Sequence, residues 1–162
     1  MGNNMKKQEK TNVMRILDQK KIDYIMHDYS GSGAIAGDDV AKTLGENPEE
    51  VFKTLVTVGK TKQYYVFLVP VCKELNLKKA AKAVGEKKIE MIKAKELLPL
   101  TGYVHGGCSP IGMKKAFPTT VEASARTLEK ICFSAGKIGF QVEVKVADLD
   151  KIGDFKFEDV AE

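Results

Sequence analysis

The apolar positions of this chain alternate between stretches with the period of a β-strand and stretches with the period of an α-helix. Residues 51–58 are rich in β-branched side chains and end at Gly59, and residues 64–71 are almost wholly apolar, so both predict buried strands. Gly136 and Gly139 predict a hairpin turn between two later strands. The predicted strands comprise residues 22–29, 51–58, 64–71, 89–91, a stretch near Tyr103, 119–121, 131–134 and 140–146.

Helical spacing separates most of these strands. Thr11 or Asn12 is a suitable N-cap for a first helix in which Val13, Ile16 and Leu17 share one face. The other predicted helical segments comprise residues 38–44, a turn at 48–50, a lysine-rich helix ending at Gly85, residues 94–98 ending before Pro99, and a closing helix that starts at residues 148–152. Because strands and helices do not alternate strictly, the pattern favours an α+β fold in which helices surround a mixed β-sheet.

Length and composition fit one domain. A chain of 162 residues with 43% apolar content can bury a substantial core, and no linker or repeat divides it. We therefore predict a single domain over residues 11–162, preceded by a flexible segment at residues 1–10. No apolar run is long enough to span a bilayer, and the N-terminus lacks the apolar centre of a signal peptide, so we expect a cytoplasmic protein with no membrane partner.

The three cysteines predict neither a disulfide framework nor a metal site. Cys72, Cys108 and Cys132 are odd in number, far apart and never in a Cys-x-x-Cys pair. His27 and His105 have no partners at the helical spacing that metal sites use. Cys72 and Cys132 lie in apolar stretches and are predicted to be buried, whereas Cys108 lies in a glycine-rich loop and is a weak candidate for a nucleophile.

Positive charge is concentrated in the middle of the chain. Residues 60–115 contain 12 basic and 4 acidic residues, a net charge of +8, whereas the rest of the chain contains 14 basic and 18 acidic residues, a net charge of −4. This asymmetry favours an anionic partner at one surface, although lysines on a solvated helix face give the same pattern. Arg15 and Arg126 are the only arginines, so we expect weak, salt-sensitive contact with phosphates.

Two features are candidates for chemistry. Lys53 is the single charge in the strand at residues 51–58, and residues 101–112 form a loop with four glycines, a histidine and a Ser-Pro pair. Lys53 fits equally an edge-strand lysine whose ammonium reaches water and a lysine in a cleft that binds an anion or polarises a carbonyl. The glycine loop fits a tight turn, or a loop whose N–H groups hold a carbonyl oxygen or a phosphate. Residues 31–37 lack the spacing of a dinucleotide-binding turn and predict a flexible loop at the mouth of a site.

Five segments, in order, resemble the YbaK/EbsC family of Cys-tRNA(Pro) deacylases, freestanding relatives of the editing domain inserted in bacterial prolyl-tRNA synthetases. They are residues 51–55, 77–82, 85–91, the glycine loop and 134–137, and the resemblance covers residues 11–152. It implies a barrel-like form of the mixed sheet and hydrolysis, in trans, of the aminoacyl ester of mischarged Cys-tRNA(Pro). It also implies no cofactor, and as partners the acceptor end of tRNA(Pro) and prolyl-tRNA synthetase. We further expect a monomer that does not bind DNA.

The resemblance also assigns roles to matching residues. Lys53 matches the essential lysine of the family, here taken as catalytic. The substrate-binding residues that it implies are Tyr29, Thr54, Gly106, Gly107, Ser109, Pro110 and Ser134. In the mechanism proposed for the family, the thiol of the substrate cysteine attacks its own ester carbonyl, so that the protein only orients the groups and stabilises the oxyanion. Residues 30–36 are smaller than is usual in the family and related branches remove alanine, so the preferred aminoacyl group stays open between cysteine, alanine and another small residue.

Two other functions fit the residues. Lys53 in an apolar strand fits a Schiff-base enzyme for small carbonyl compounds, which borohydride trapping on this lysine would identify. The basic central region fits a non-catalytic module that binds RNA or a synthetase, which a salt-sensitive RNA complex without ester cleavage would identify.

Overall fold

The computed structural model of the protein describes residues 10–162, so residues 1–9 of the predicted flexible segment lie outside the described residues. The described residues form five α-helices: α1 (Asn12–Gln19), α2 (Gly37–Leu44), α3 (Leu77–Val84), α4 (Ala94–Thr101) and α5 (Leu149–Ile152). Their eight strands are β1 (Ile25–Asp28), β2 (Phe52–Gly59), β3 (Tyr64–Pro70), β4 (Ile89–Met91), β5 (Thr119–Glu122), β6 (Lys130–Ser134), β7 (Phe140–Lys145) and β8 (Phe155–Glu158). Short 3-10 helices occupy Pro48–Glu50, Ala123–Thr127 and Val146–Asp148.

The strands form two sheets. The first is antiparallel and has three strands in the order β1-β7-β6. The second has five strands in the order β4-β2-β3-β5-β8, in which β2 runs antiparallel to β4 and β3, whereas β3, β5 and β8 run parallel to one another. A parallel bridge between Val51 and Cys132 joins the two sheets. The predicted α+β fold is confirmed, but its barrel-like closure is not confirmed, because the strands divide between two sheets.

Capping groups explain where the first helices begin and end. The Thr11 hydroxyl accepts a hydrogen bond from the Met14 N–H at 3.2 Å, which starts α1 at the predicted place. The Asn76 side chain likewise accepts hydrogen bonds from the first turn of α3. Helices α2 and α3 end at Gly45 and Gly85, whose φ angles of 69° and 75° lie in the left-handed region that glycine adopts at little cost. The predicted ends of these two helices are confirmed.

Helix α4 differs from the prediction because it continues past Pro99. Proline lacks the N–H that would bond to the carbonyl four residues earlier, so the sequence predicted an end at residue 98. Two other contacts hold the last turn: the Thr101 hydroxyl donates to the Leu97 carbonyl at 2.8 Å, and the Gly102 N–H donates to the Leu98 carbonyl at 2.8 Å. The helix therefore loses one hydrogen bond at an exposed position and still extends to Thr101.

Three further predictions were wrong. The stretch near Tyr103 is not a strand, because its chain turns there and the Tyr103 hydroxyl donates to the Ile111 carbonyl within the loop. The predicted closing helix is the single turn α5, and the chain continues into β8, which pairs parallel with β5. Cys72 is exposed because it lies in a turn directly after β3, whereas Cys132 is buried on β6 as predicted.

Both sheets contribute to one apolar core. Its largest cluster of buried side chains combines α1 and α5 with strands of the two sheets, including Leu17, Leu68, Phe133, Val142 and Leu149. A core shared in this way is what we expect of the single domain predicted for residues 11–162. Within the described part of the chain, the helices are all too short or too polar to cross a membrane.

Candidate active site

A cavity lies beside the first half of β2, where β2 has a paired strand on one side only. β2 pairs with β3 from Phe52 to Val58, but with β4 only from Thr57 to Gly59. On that side, the beginning of β2 lies against β6 of the other sheet. The cavity has a volume of about 330 Å³, within the range of about 300–1,000 Å³ that small-molecule sites occupy. Apolar side chains of both sheets and of nearby helices, such as Phe133 and Leu97, line it.

Lys53 is the cation of this cavity's lining. Its side chain is 27% exposed, and its Nζ lies 3.5 Å from Oε2 of Glu74, which is itself largely exposed and also lines the cavity. An ion pair with a solvated carboxylate is weak, so the ammonium can exchange this partner for a group on a ligand. The position favours the interpretation of Lys53 as a cleft lysine over that of a lysine directed only at bulk water.

Five of the eight predicted site residues line this one cavity: Lys53, Tyr29, Thr54, Gly106 and Ser134. They come from the end of β1, from β2, from the glycine loop and from the end of β6, which are distant in sequence. Burial raises the pKa of the Tyr29 phenol, so this group is a neutral hydrogen-bonding partner at physiological pH. The Ser134 hydroxyl accepts a hydrogen bond from the Gly136 N–H at 3.1 Å, which fixes the turn beside the cavity.

The other three predicted site residues do not line the cavity. Gly107 is buried against the turn at Ile138, where an added Cβ would lie 3.2 Å from the Ile138 nitrogen. Ser109 is completely buried, and its hydroxyl accepts a hydrogen bond from the Ile111 N–H at 3.4 Å. Pro110 lines a second groove, of about 720 Å³. These residues shape the glycine loop, and their predicted contact with substrate stays a prediction.

Two buried polar atoms in the cavity lining have no hydrogen-bond partner within the described residues. They are the Thr54 hydroxyl oxygen and the Gln141 side-chain oxygen. Leaving such an atom unsatisfied costs about 1–3 kcal/mol. A ligand or water bound in the cavity would complete the hydrogen bonds of both oxygens.

The glycine loop approaches the cavity most closely at Gly106. Its φ of +88° lies in the left-handed region, and an added Cβ would lie 2.6 Å from the Ile35 side chain. Within the described residues its N–H has no hydrogen-bond acceptor, whereas the N–H of Gly107 donates to the Val104 carbonyl at 2.9 Å. The loop at residues 31–37 also borders the cavity, through Ile35, Ala36 and Gly37, in agreement with its predicted place at the mouth of a site.

His105 and Cys108 also line the cavity, but they do not form a nucleophilic pair. Burial raises the pKa of the Cys108 thiol to about 12, so the thiolate needed for attack is scarce at neutral pH. His105 is exposed on the loop.

Several cavity residues could not be recognised from the sequence. Gln141 lies on β7 and looks like an ordinary strand residue, and Leu97 and Phe133 look like core residues. Their shared position depends on how the two sheets face each other. Likewise, the spacing of cysteines and histidines predicted no metal site, yet the fold places ligand atoms of His27, Glu46 and Cys132 within 4.8 Å of one another.

Comparison with known proteins agrees with this geometry. Residues 34–152 match the aminoacyl-tRNA editing domain family. The chain belongs to this family. The chain is 46% identical over 140 residues to the Enterococcus faecalis protein named "Putative Cys-tRNA(Pro)/Cys-tRNA(Cys) deacylase EbsC", covering 86% of this chain and 85% of the relative. The predicted relation to the YbaK/EbsC family is confirmed.

A second relative is the proline–tRNA ligase of Shouchella clausii, to which the chain is 29% identical over 103 residues. This match covers 64% of this chain and only 18% of the ligase.

Solved structures share the fold at low identity. The hypothetical protein APE2540 superposes with a TM-score of 0.85 at 21% identity, covering 93% of this chain and 99% of its own. A structure described as "a putative trans-editing enzyme for prolyl tRNA synthetase" superposes with a TM-score of 0.80 at 20% identity, covering 95% and 99% of the two chains. The arrangement of two sheets around the cavity is therefore the fold of known proteins.

Proposed function

We propose that the protein is a trans-editing deacylase that hydrolyses mischarged Cys-tRNA(Pro) to cysteine and tRNA(Pro). The observation that carries this proposal is that Lys53, Thr54, Gln141 and Gly106 line one cavity, and that among the described residues the Thr54 and Gln141 oxygens and the Gly106 N–H have no hydrogen-bond partner. An aminoacyl ester has a carbonyl, an ammonium and a nearby phosphate to match such donors and acceptors. The relative named as a Cys-tRNA(Pro)/Cys-tRNA(Cys) deacylase supports the choice of substrate.

The substrate thiol supplies the nucleophile in this proposal. Its sulfur attacks the ester carbonyl carbon, the acyl carbon–oxygen bond breaks, and the ribose oxygen takes up the proton that the thiol loses. Water then hydrolyses the cyclic thioester to free cysteine. A free cysteine thiol has a pKa of about 8.5, so a few per cent of it is ionised near neutral pH without help from the protein.

The protein has two tasks in this mechanism. Gly106 N–H donates a hydrogen bond to the oxyanion that forms when the carbonyl is attacked, and the rigid loop holds this donor in place. Lys53 attracts the anionic part of the substrate, either the developing oxyanion or the phosphate of the terminal adenosine. The lysine-rich segment at residues 60–115 assists by weak contacts with the acceptor end. We propose that the protein acts as a monomer in the cytoplasm, alone or with prolyl-tRNA synthetase.

The test is the rate of ester loss from Cys-tRNA(Pro), Ala-tRNA(Pro) and Ser-tRNA(Pro). We expect rapid cleavage of the cysteinyl ester, and far slower cleavage of the seryl ester because a hydroxyl is a poorer nucleophile than a thiol. Lys53→Ala is expected to reduce the cysteinyl rate by about 10²–10³-fold. Lys145→Ala, which alters an exposed lysine at the end of β7 outside the lysine-rich segment, is the matched control and is expected to keep the rate.

Each other result would change the proposal in a defined way. Equal rates for the cysteinyl and seryl esters would rule out the thiol mechanism. Cleavage of Ala-tRNA(Pro) alone would keep the deacylase and change its substrate. If none of the three esters is cleaved, the proposed deacylase activity is contradicted. Salt-sensitive tRNA binding would then identify a binding module.

A further inference from the structure

A second cluster of chemically reactive side chains lies beneath the cavity, at the junction of the two sheets. His27 on β1, Cys132 on β6 and Glu143 on β7 project from one face of the three-stranded sheet, and Glu46 reaches them from the segment after α2. The His27 Nε2 lies 2.9 Å from Glu143 Oε1 and 3.8 Å from Glu46 Oε2. The Cys132 Sγ lies 3.9 Å from Glu143 Oε1. We call these four residues the junction cluster.

The junction cluster combines two carboxylates with a thiol, and Lys130 pairs with only one of the carboxylates, Glu143. Glu46 Oε2 is buried and accepts no hydrogen bond from any described residue. Burial raises the pKa of the Glu46 carboxyl, and burial followed by repulsion from Glu46 and Glu143 raises that of the Cys132 thiol. A cation at the centre would reverse both effects, because it stabilises a carboxylate and a thiolate together.

The donor atoms are those that zinc prefers. Zn²⁺ binds imidazole nitrogen, thiolate sulfur and carboxylate oxygen at about 2.0–2.3 Å, and a tetrahedral site therefore separates its ligand atoms by about 3.3–3.8 Å. Ligand atoms of His27, Glu46 and Cys132 already lie within 4.8 Å of one another, so shifts of about 1 Å would bring these three atoms to that spacing, and Glu143 would join them as its contact with His27 opens from 2.9 Å. We propose that His27, Glu46, Cys132 and Glu143 together bind one zinc ion.

Neighbouring groups already orient the two carboxylates as they do in known metal sites. The Gln141 amide donates to Glu46 Oε1 at 3.1 Å, and the Lys130 ammonium lies 3.2 Å from Glu143 Oε2. Each carboxylate thus has one oxygen held by a neighbour and the other directed at the cluster. On binding, the thiol loses its proton to solvent as the Zn–S bond forms. Two carboxylates, one thiolate, Lys130 and Zn²⁺ then sum to zero charge.

The proposed ion is structural. It would fasten the segment before β2 to the three-stranded sheet, next to the bridge between Val51 and Cys132 that joins the sheets. Gln141 connects the site to the cavity, since its amide nitrogen donates to Glu46 and the residue itself lines the cavity. The ion would therefore fix the wall of the cavity without touching the substrate. This inference does not depend on the proposed deacylase activity.

The test is metal binding to protein stripped with a chelator and dialysed. We expect titration with Zn²⁺ to show one equivalent bound, and Co²⁺ in its place to give a thiolate-to-metal absorption band. Cys132→Ser should abolish the band, and His27→Gln should weaken Zn²⁺ binding by about tenfold or more. The matched controls are Cys72→Ser and His105→Gln, which alter an exposed cysteine and histidine outside the cluster and should leave both readouts unchanged.

The wild-type protein alone can overturn the proposal. If Co²⁺ gives no thiolate band with the folded wild type, no metal binds at Cys132, and the cluster is an ion-pair network around His27. Loss of the band in Cys72→Ser, with retention in Cys132→Ser, would assign binding to the surface cysteine and would also overturn the proposal. Circular dichroism of each variant shows that a lost signal is not a lost fold.

Discussion

Single residues in the cavity lining are arranged for a ligand at a cost to the free protein. The Thr54 hydroxyl is buried without a hydrogen-bond partner, whereas the Thr57 hydroxyl, three residues along the same strand, donates to the Tyr65 carbonyl at 2.9 Å. The two threonines therefore differ in whether the side-chain hydroxyl has a hydrogen-bond partner among the described residues. Replacing each threonine should therefore have different effects on the stability of the protein and on its activity.

Thr54→Val should raise stability and lower activity. Valine has nearly the same shape and removes an unsatisfied hydroxyl, so we expect a gain of about 1 kcal/mol in the free energy of unfolding. The rate of ester cleavage should fall because the substrate loses a polar contact. Thr57→Val is the control. It removes a hydrogen bond that the wild type forms, so it should lower stability by about 1 kcal/mol and leave the rate of ester cleavage unchanged. Urea unfolding and deacylation assays measure both, and a loss of stability in Thr54→Val would show that its hydroxyl is satisfied.

At the scale of elements, β8 and the residues after it depend on one buried carboxylate. Glu122, at the end of β5, accepts hydrogen bonds from the N–H groups of Val160 at 2.9 Å, Ala161 at 3.2 Å and Ser124 at 2.8 Å. Burial alone would raise the pKa of this carboxyl, but the N–H donors outweigh burial and hold its pKa below the ordinary value. The charged form of Glu122 therefore stabilises the packing of the C-terminal segment.

Glu122→Gln should destabilise the protein at neutral pH and weaken its acid dependence. A carboxyl whose pKa is lower in the folded state contributes stability that is complete above its unfolded pKa of about 4.3. This stability is lost as the pH falls through the lower, folded value. We expect the variant to lose about 1–3 kcal/mol at pH 7 and progressively less toward acid. Glu158→Gln, which alters an exposed residue of β8, is the control. An identical dependence of stability on pH in wild type and Glu122→Gln would contradict the role given to the Glu122 carboxylate.

The elements also show what the sequence could and could not predict. The apolar run around Lys53 and the caps at Thr11, Gly45 and Gly85 act locally, so they located β2, α1 and the ends of α2 and α3. The alternation of residues 155–158 is a strand pattern too, but it is only four residues long and its partner β5 is distant in sequence. Helix α4 passes Pro99 because tertiary contacts outweigh one lost hydrogen bond.

Positions set by several elements at once were not predictable. Gln141 faces the cavity, and His27 and Cys132 meet, only because β7 lies between β1 and β6 in a particular register. No spacing in one strand encodes that register. By contrast, the resemblance to a family singled out Lys53, Tyr29 and Gly106 without knowledge of the fold, and the fold places these three in the lining of one cavity.

At the scale of the whole molecule, charge is distributed unevenly along the chain. The segment at residues 60–115 has a net charge of +8 and the rest of the chain has −4. Helix α3, within this segment, begins three residues after Glu74, which lines the cavity, and its Lys78 is exposed. A polyanion that enters the cavity with its end would therefore have lysines beside it.

This arrangement predicts that salt weakens the binding of tRNA and leaves the rate of ester cleavage itself unchanged. If the lysines neutralise two phosphates, a rise from about 50 to 200 mM salt should lower kcat/KM for Cys-tRNA(Pro) about tenfold. A minimal substrate, cysteine esterified to adenosine, lacks the acceptor stem and should show little change.

Lys78→Glu should weaken cleavage of the tRNA substrate and reduce its salt dependence. Lys145→Glu, an equal change of charge on an exposed residue of the other sheet, is the control. Equal effects of the two variants would mean that overall charge attracts the tRNA, and equal salt dependence of the two substrates would place the sensitive step in the cavity itself.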